Sequence, residues 1–249
     1  MYSEFSAFYD ILMSDADYKN RAEYIKHLFE KFGAFPTLML DLACGTGAFS
    51  NEFARDNVSV IGVDCSPEML SIARENSGKQ GCDVLYLCQR ADELDLYGTV
   101  DGAICCLDSI NHITDYEELS NAFKKVSIFL EEGKLFIFDV NTPYKHEKVL
   151  ADNTFVIEED NLFCVWDNNY DEDTKITNIN LDFFLCDDSG KYERKSDYIE
   201  ERAYTQNEIS NALLAANFKI EAIYGDFTEE TPNADTERAV YVARKVTKK

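Results

Sequence analysis

Basic side chains are scarce in this chain: 24 lysines and arginines stand against 47 aspartates and glutamates, a formal charge of −23 over 249 residues. A field of that sign repels a phosphate backbone and excludes nucleic acid as the expected partner. No stretch comes near the ~20 apolar residues of a membrane span. The opening Met1-Tyr2-Ser3-Glu4-Phe5 lacks both the basic and the apolar region of a signal peptide. A cytoplasmic protein with no membrane partner is therefore expected. The eight cysteines include no C-x-x-C pair, and Cys88, Cys105 and Cys106 sit in apolar runs where cysteine packs as a small hydrophobe. Neither a disulfide framework nor a metal site is expected. Tryptophan occurs once and histidine three times, no internal repeat or low-complexity linker is visible, and a 45% hydrophobic content suffices for a real core.

Against that background Leu40-Asp41-Leu42-Ala43-Cys44-Gly45-Thr46-Gly47 and Val60-Ile61-Gly62-Val63-Asp64 stand out. An apolar run meets two glycines and a helical pattern, and a second apolar run ends on an acid about 20 residues on, the layout of a ribose-binding βαβ unit. The glycines let backbone approach a ligand, and Asp64 can accept from two vicinal ribose hydroxyls. Two departures from the dinucleotide fingerprint narrow the ligand. Ser50 stands where the third glycine belongs, and Asp41 would set a carboxylate beside the phosphates. A nicotinamide oxidoreductase is disfavoured on both counts. A nucleoside carrying an amino group and a sulfonium, with no phosphate, suits the loop better.

Short β-rich runs predict parallel strands at Thr37–Ala43, Val58–Asp64, Val84–Cys88, Val100–Leu107 and Lys134–Asn141. Apolar spacing predicts a helix over Asp17–Phe32 before them. Ser66 with Pro67, Thr114 with Glu117, and Thr205 with Glu208 carry helix-start signals. Between about Phe155 and Tyr204 the pattern turns to alternation, with Ile179, Leu181, Phe183 and Leu185 on one face, which predicts antiparallel strands. A helix over Thr205–Ala216 and strands at Phe218–Gly225 and Glu237–Lys245 follow.

The loop at 40–47, Asp64 and Ser66-Pro67-Glu68-Met69-Leu70 resemble the S-adenosylmethionine (SAM) site of class I methyltransferases. With Phe8-Tyr9-Asp10, Ser109-Ile110-Asn111-His112 and Glu201-Arg202-Ala203-Tyr204, the chain is similar over nearly its whole length to one small-molecule branch. That branch includes the N,N-dimethyltransferases of nucleotide-linked amino sugars. The resemblance implies an α/β, Rossmann-like fold with a mostly parallel seven-stranded sheet and a small antiparallel insertion. It divides the chain into an N-terminal helical lid (1–32), a SAM-binding domain (33–150 and 203–249) and the insertion (151–202).

It also implies roles for individual residues. Asp41 would orient the methionine amino group, Ala43, Gly45 and Gly47 would approach by backbone, and Cys65 and Met69 would flank adenine. Leu107 and Asp108 would lie at the mouth of the pocket. Tyr9 and Tyr18 would come from the lid, Tyr9 also as a candidate for catalysis, and His112 would serve as general base. Asn111, His112 and Trp166 are the candidate acceptor-side residues. Relatives carry an acid two residues after the third strand, and this chain has Arg90 there, in Gln89-Arg90-Ala91-Asp92. Adenine is then read by the backbone of Arg90 and Ala91, by Asp92, or by stacking on Arg90. The Asn/Asp-Pro-Pro-Tyr motif of base-amino methyltransferases is absent after the fourth strand. The expected reaction is methyl transfer to a small-molecule acceptor, nitrogen before oxygen, by a monomer or homodimer. A non-catalytic SAM-binding or regulatory protein is the alternative.

Overall fold

The computed structural model describes residues 3–13, 16–159, 161–187 and 189–247. Two helices, α1 (Ser3–Leu12) and α2 (Tyr18–Lys31), precede β1 (Leu38–Leu42), α3 (Ala48–Ala54), β2 (Ser59–Asp64), α4 (Pro67–Gln80) and β3 (Val84–Cys88). Then come β4 (Gly102–Cys105), α5 (Tyr116–Phe129) and β5 (Leu135–Asn141). The strands β6 (Thr154–Glu159), β7 (Leu162–Asp171), β8 (Ile176–Cys186) and β9 (Tyr192–Arg202) follow, and α6 (Gln206–Ala215), β10 (Phe218–Gly225) and β11 (Arg238–Lys245) close the chain.

Seven strands form the main sheet in the order β10-β11-β5-β4-β1-β2-β3. The five strands β1 to β5 pair in parallel and β11 runs antiparallel to β5 and β10. Leaving β1, the chain turns one way to β2 and β3 and the other way to β4 and β5. The crevice at this switch point, beyond the carboxyl ends of the strands, is where such sheets bind ligands. Every residue of β4 and β5 is buried, which explains the apolar run of β4 and of Leu135–Phe138 in β5. One face packs Phe123 of α5 on Phe136 and Phe138, and the other packs Phe29 of α2 edge-on against Phe53 of α3.

A second sheet, β6-β7-β8-β9, is antiparallel throughout. Its inner face buries Cys164, Ile179, Leu181, Phe183 and Ile199, and Met69, Phe8 and Tyr9 pack in the same cluster. The period-2 pattern of β8 thus covers the N-terminal helix and the start of α4. No helix among the described residues is long and apolar enough to cross a membrane.

Local chemistry sets the element ends. The Ser66 hydroxyl accepts the Met69 N–H at 3.1 Å with Pro67 in the first turn of α4, and Thr205 and Glu208 form the reciprocal capping box of α6. At α5 the sequence reading is corrected: Asp115, not Thr114, caps it, its carboxylate accepting from the Glu117 and Glu118 N–H groups at 2.8 and 3.0 Å. A carboxylate is the stronger acceptor for these orphan donors. The expected strand Val100–Leu107 also shrinks to four residues, because Leu107 and Asp108 turn left-handed (φ 55° and 50°) immediately after it.

Candidate functional site

The switch-point crevice holds an open cleft lined by Tyr9, Ala43, Gly45, Asp64, Cys65, Met69, the run Gln89 to Asp92, Leu107, Ser109, His112 and Glu118, with Leu42, Val63, Cys105 and Ile113 adding apolar wall. A smaller pocket of about 300 Å³ adjoins it, sharing Tyr9, Ala43, Gly45, Leu107 and Ser109 and adding Tyr18, Asp41, Thr46 and Phe49. Most of the residues expected to hold a cofactor therefore meet at one place.

At the end of β2, one oxygen of Asp64 accepts the Gly45 N–H at 2.9 Å and the other the Ser66 N–H at 2.8 Å. Burial raises its carboxyl above the ordinary range, and those two backbone donors act the other way. The loop's shape follows from φ values of 55° at Ala43, 53° at Gly45 and 79° at Gly47. Gly47 does not line the cleft. A Cβ there would sit 2.2 Å from the Tyr86 hydroxyl oxygen, so packing behind the loop accounts for this glycine.

Asp41 is buried in β1 and accepts from the Ser50 hydroxyl. Burial pushes its carboxyl up to about 7, with the charge of Asp64 adding to the rise. Ser50, which breaks the dinucleotide fingerprint, is thus the donor that holds Asp41.

After β4, the Asp139 carboxylate takes both left-handed N–H groups, Leu107 at 2.8 Å and Asp108 at 3.0 Å, as an anion fills a backbone nest. Arg238 bridges Asp139 and Asp108, reaching the latter at 2.7 Å. Burial opposes ionisation of Asp108, yet Arg238 holds its carboxyl down to about 2. The Asp108 charge is therefore committed to Arg238, and the strained turn aims the chain that follows into the cleft.

His112 lines the cleft with its Nε2 3.9 Å from Glu201 Oε1. Two neighbours expected to share that end do not. Asn111 is fully buried and stitches two elements together, donating to the carbonyls of Asn141 at 3.1 Å and Arg202 at 2.9 Å and accepting the Asn141 N–H at 2.9 Å. Trp166 stays on β7, its indole N–H donating to Asn168 at 2.8 Å. Arg90 is half-exposed and held by Asp92 at 3.0 Å and Glu118 at 2.8 Å, so its guanidinium is a clamp between the turn after β3 and α5. Sequence reasoning missed Glu118, Glu201, Asp139 and Arg238. Only Glu201 had a signal, as part of a recognised motif. Where no metal was expected, ligand atoms of Asp108, His112 and Glu201 converge within 4.8 Å of one another.

The donor set suits SAM: a carboxylate at the end of β2 for ribose hydroxyls, apolar walls at Leu42, Val63 and Met69 for adenine, and buried Asp41 for an ammonium. At Gly45, whose φ of 53° favours glycine, a Cβ would meet nothing within 4 Å, so the loop backbone borders open space.

Comparison with known proteins agrees. A methyltransferase-domain family model matches residues 39–133. A SAM-dependent methyltransferase from Clostridium acetobutylicum superposes with a TM-score of 0.89 at 32% identity, covering 99% of both chains. A protein of Geobacillus sp. (strain WCH70), named only as a methyltransferase, is 29% identical over 98% of this chain and 99% of its own. CalS10 with SAM bound, an amino pentose methyltransferase from Micromonospora echinaspora, shares the fold with a TM-score of 0.75 at 20% identity over 92% of each chain. The chain belongs to the class I SAM-dependent methyltransferases.

Proposed function

We propose that this enzyme methylates a small-molecule acceptor at nitrogen in preference to oxygen. The observation that supports the reading is that Asp64 and His112 line one cleft, so an acid suited to a ribose and an imidazole share a single chamber. CalS10, described as acting on an amino pentose, has the same fold. The wider acidic balance of the chain favours the approach of a cationic acceptor over an anionic one.

Bound SAM supplies a methyl group already activated by its sulfonium. What remains for the protein is alignment and dryness, for which well-oriented systems reach effective molarities of order 10⁵ M or more. Asp64 fixes the nucleoside end, and Asp41 the amino-acid end. Tyr9 and Met69, packed with the second sheet, close the apolar side. An amine acceptor needs only a free lone pair, and in this reading His112 accepts the proton that blocks it, a contribution of about 10²-fold.

The test is a screen of small amines and hydroxy compounds for formation of S-adenosylhomocysteine, with His112→Asn run in parallel. Amines that turn over in the native protein and fail in the variant support the reading. Turnover confined to hydroxy compounds, or none despite bound SAM, overturns it.

A further inference from the structure

Glu201 is an ionisable group to which the proposed reaction assigns no role. It lies at the end of β9, where the second sheet meets the first, and it is 3% exposed. A carboxylate so placed ordinarily has a cation or several hydrogen-bond donors around it. Among the described residues, the donor to Glu201 is the Asn141 side-chain amide at 3.2 Å. Its two histidine neighbours, His112 and His146, both stand at 3.9 Å. Burial pushes the His146 imidazole down to about 4 and keeps it neutral, with Asn111 and Thr177 against its two nitrogens. No lysine or arginine among the described residues makes an ion pair with Glu201: burial raises its carboxyl, Lys145 acts on it only through longer-range charge, and Arg238 is divided between Asp108 and Asp139.

A second deficit lies beside the first. Asn141 is buried, and while its amide nitrogen faces Glu201, its oxygen has no hydrogen-bond donor among the described residues. Acceptors therefore outnumber donors directly behind the His112 imidazole, which itself lines the cleft. What is missing is a group with several N–H bonds and a positive charge.

We propose that Glu201, with Asn141 and His112, forms the subsite that receives the acceptor's nitrogen, and that it takes a primary or secondary ammonium group. The proposal rests on the nitrogen-methylation reading and names the groups that would recognise the acceptor. The ammonium brings charge to Glu201 and N–H donors to the unfilled acceptors, and it gives up one proton to the neighbouring imidazole before attack. A hydroxyl carries a single donor and no charge, and leaves the carboxylate uncompensated. A divalent ion on Asp108, His112 and Glu201 would first have to take Asp108 from Arg238, whose 2.7 Å contact already fills one of its oxygens.

The experiment uses the full chain loaded with S-adenosylhomocysteine and follows the His112 imidazole by NMR, assigned with His112→Asn. Methylammonium and dimethylammonium chlorides are titrated in, with tetramethylammonium, which lacks N–H bonds, as control and manganese(II) as the metal probe. Saturable shifts with the first two are expected, weakened about tenfold or more in Glu201→Gln, the scale of a lost charged hydrogen bond. The affinity for S-adenosylhomocysteine should be unchanged. Glu201→Asp, which keeps the charge but withdraws it, should fall between the two and serves if the glutamine variant does not fold. Equal shifts with tetramethylammonium, native affinity in both variants, or tight manganese broadening in place of amine binding would each overturn the proposal. Failure of S-adenosylhomocysteine itself to bind would instead strike the methyl-transfer reading.

Discussion

The Asp10 carboxylate of α1 accepts the Thr46 hydroxyl of the glycine loop at 2.6 Å. Asn76 of α4 donates to the same carboxylate at 3.2 Å, and Phe8 rests 5.0 Å from Phe183 of the second sheet. The N-terminal helix is thus fastened to the loop, to α4 and to β8, with Tyr9 facing the cleft between them. We expect it to act as a lid that excludes water from the site. Met1, Tyr2, Ser14 and Asp15, which belong to the same expectation, lie outside the described residues. Asp10→Ala should speed amide exchange across Ser3–Leu12 and weaken SAM about three- to tenfold, the scale of one hydrogen bond. Exchange in α1 that is equally slow with and without SAM, in the native protein, would show that this helix is no lid.

Asp64 holds the loop, and we expect it to hold the ribose as well. Since both of its oxygens accept backbone N–H groups from the segments that frame the cleft, Asp64→Ala should cost about 1.5–3 kcal/mol in SAM binding. Asp64→Asn, which keeps one acceptor, should lose less stability than alanine while still losing affinity. Calorimetric titration beside thermal unfolding separates the two loads. Unchanged affinity in a folded alanine variant would remove Asp64 from the cofactor site.

The loop at 40–47 and Asp64 were legible because both depend on local facts, a strand end and a backbone that must turn sharply. The antiparallel character of the insertion was legible for a similar reason, since the alternation of Ile179, Leu181, Phe183 and Leu185 is written along β8. What sequence could not show depends on distant pairing. Arg238 and Asp139 lie on adjacent strands nearly a hundred residues apart, and only their closure explains why Leu107 and Asp108 adopt left-handed backbone. Asn111 shows the opposite error. Its place beside His112 in the motif suggested substrate contact, whereas its amide makes the backbone bonds that join β5 to the end of β9. Arg90 does line the cleft, as the reading toward adenine expects, but the partners that hold its guanidinium, Asp92 and Glu118, come together only in the fold.

Asp41 predicts a pH signature. Its ordinary carboxyl value of 3.8 rises to about 7 in the fold, chiefly by burial. A raised folded value means the native state holds the proton more tightly, so the stability it contributes is present below 3.8 and is lost as pH rises through about 7. Asp41→Asn still accepts from Ser50 and never ionises. The cofactor-free variant should therefore exceed the native protein by about 1–3 kcal/mol at pH 8 and converge with it near pH 4. SAM affinity should fall at the same time, because a neutral amide meets the methionine ammonium less well. Unfolding curves at the two pH values check this, and a stability gap that does not change with pH would refute it.

Arg238 predicts the largest single loss outside the apolar core. It is buried on β11 between Asp108 and Asp139, and Asp139 in turn holds the Leu107 and Asp108 N–H groups. Arg238→Met leaves two buried carboxylates facing each other, a change on the order of 3–5 kcal/mol at neutral pH. In the native protein Asp108 titrates from about 2, below its ordinary 3.8, so its contribution is present above 3.8 and fades as pH falls through about 2. The variant lacks that contribution, and its deficit should shrink on acidification from pH 7 toward pH 4 as the unpaired carboxylates take up protons. Asp108→Asn added to Arg238→Met should restore part of the loss by removing one of the stranded charges. Denaturant unfolding of the single and double variants measures both effects. A double variant no more stable than Arg238→Met alone would mean that arginine packing, and not the ion pair with Asp108, maintains the turn that carries His112 into the cleft.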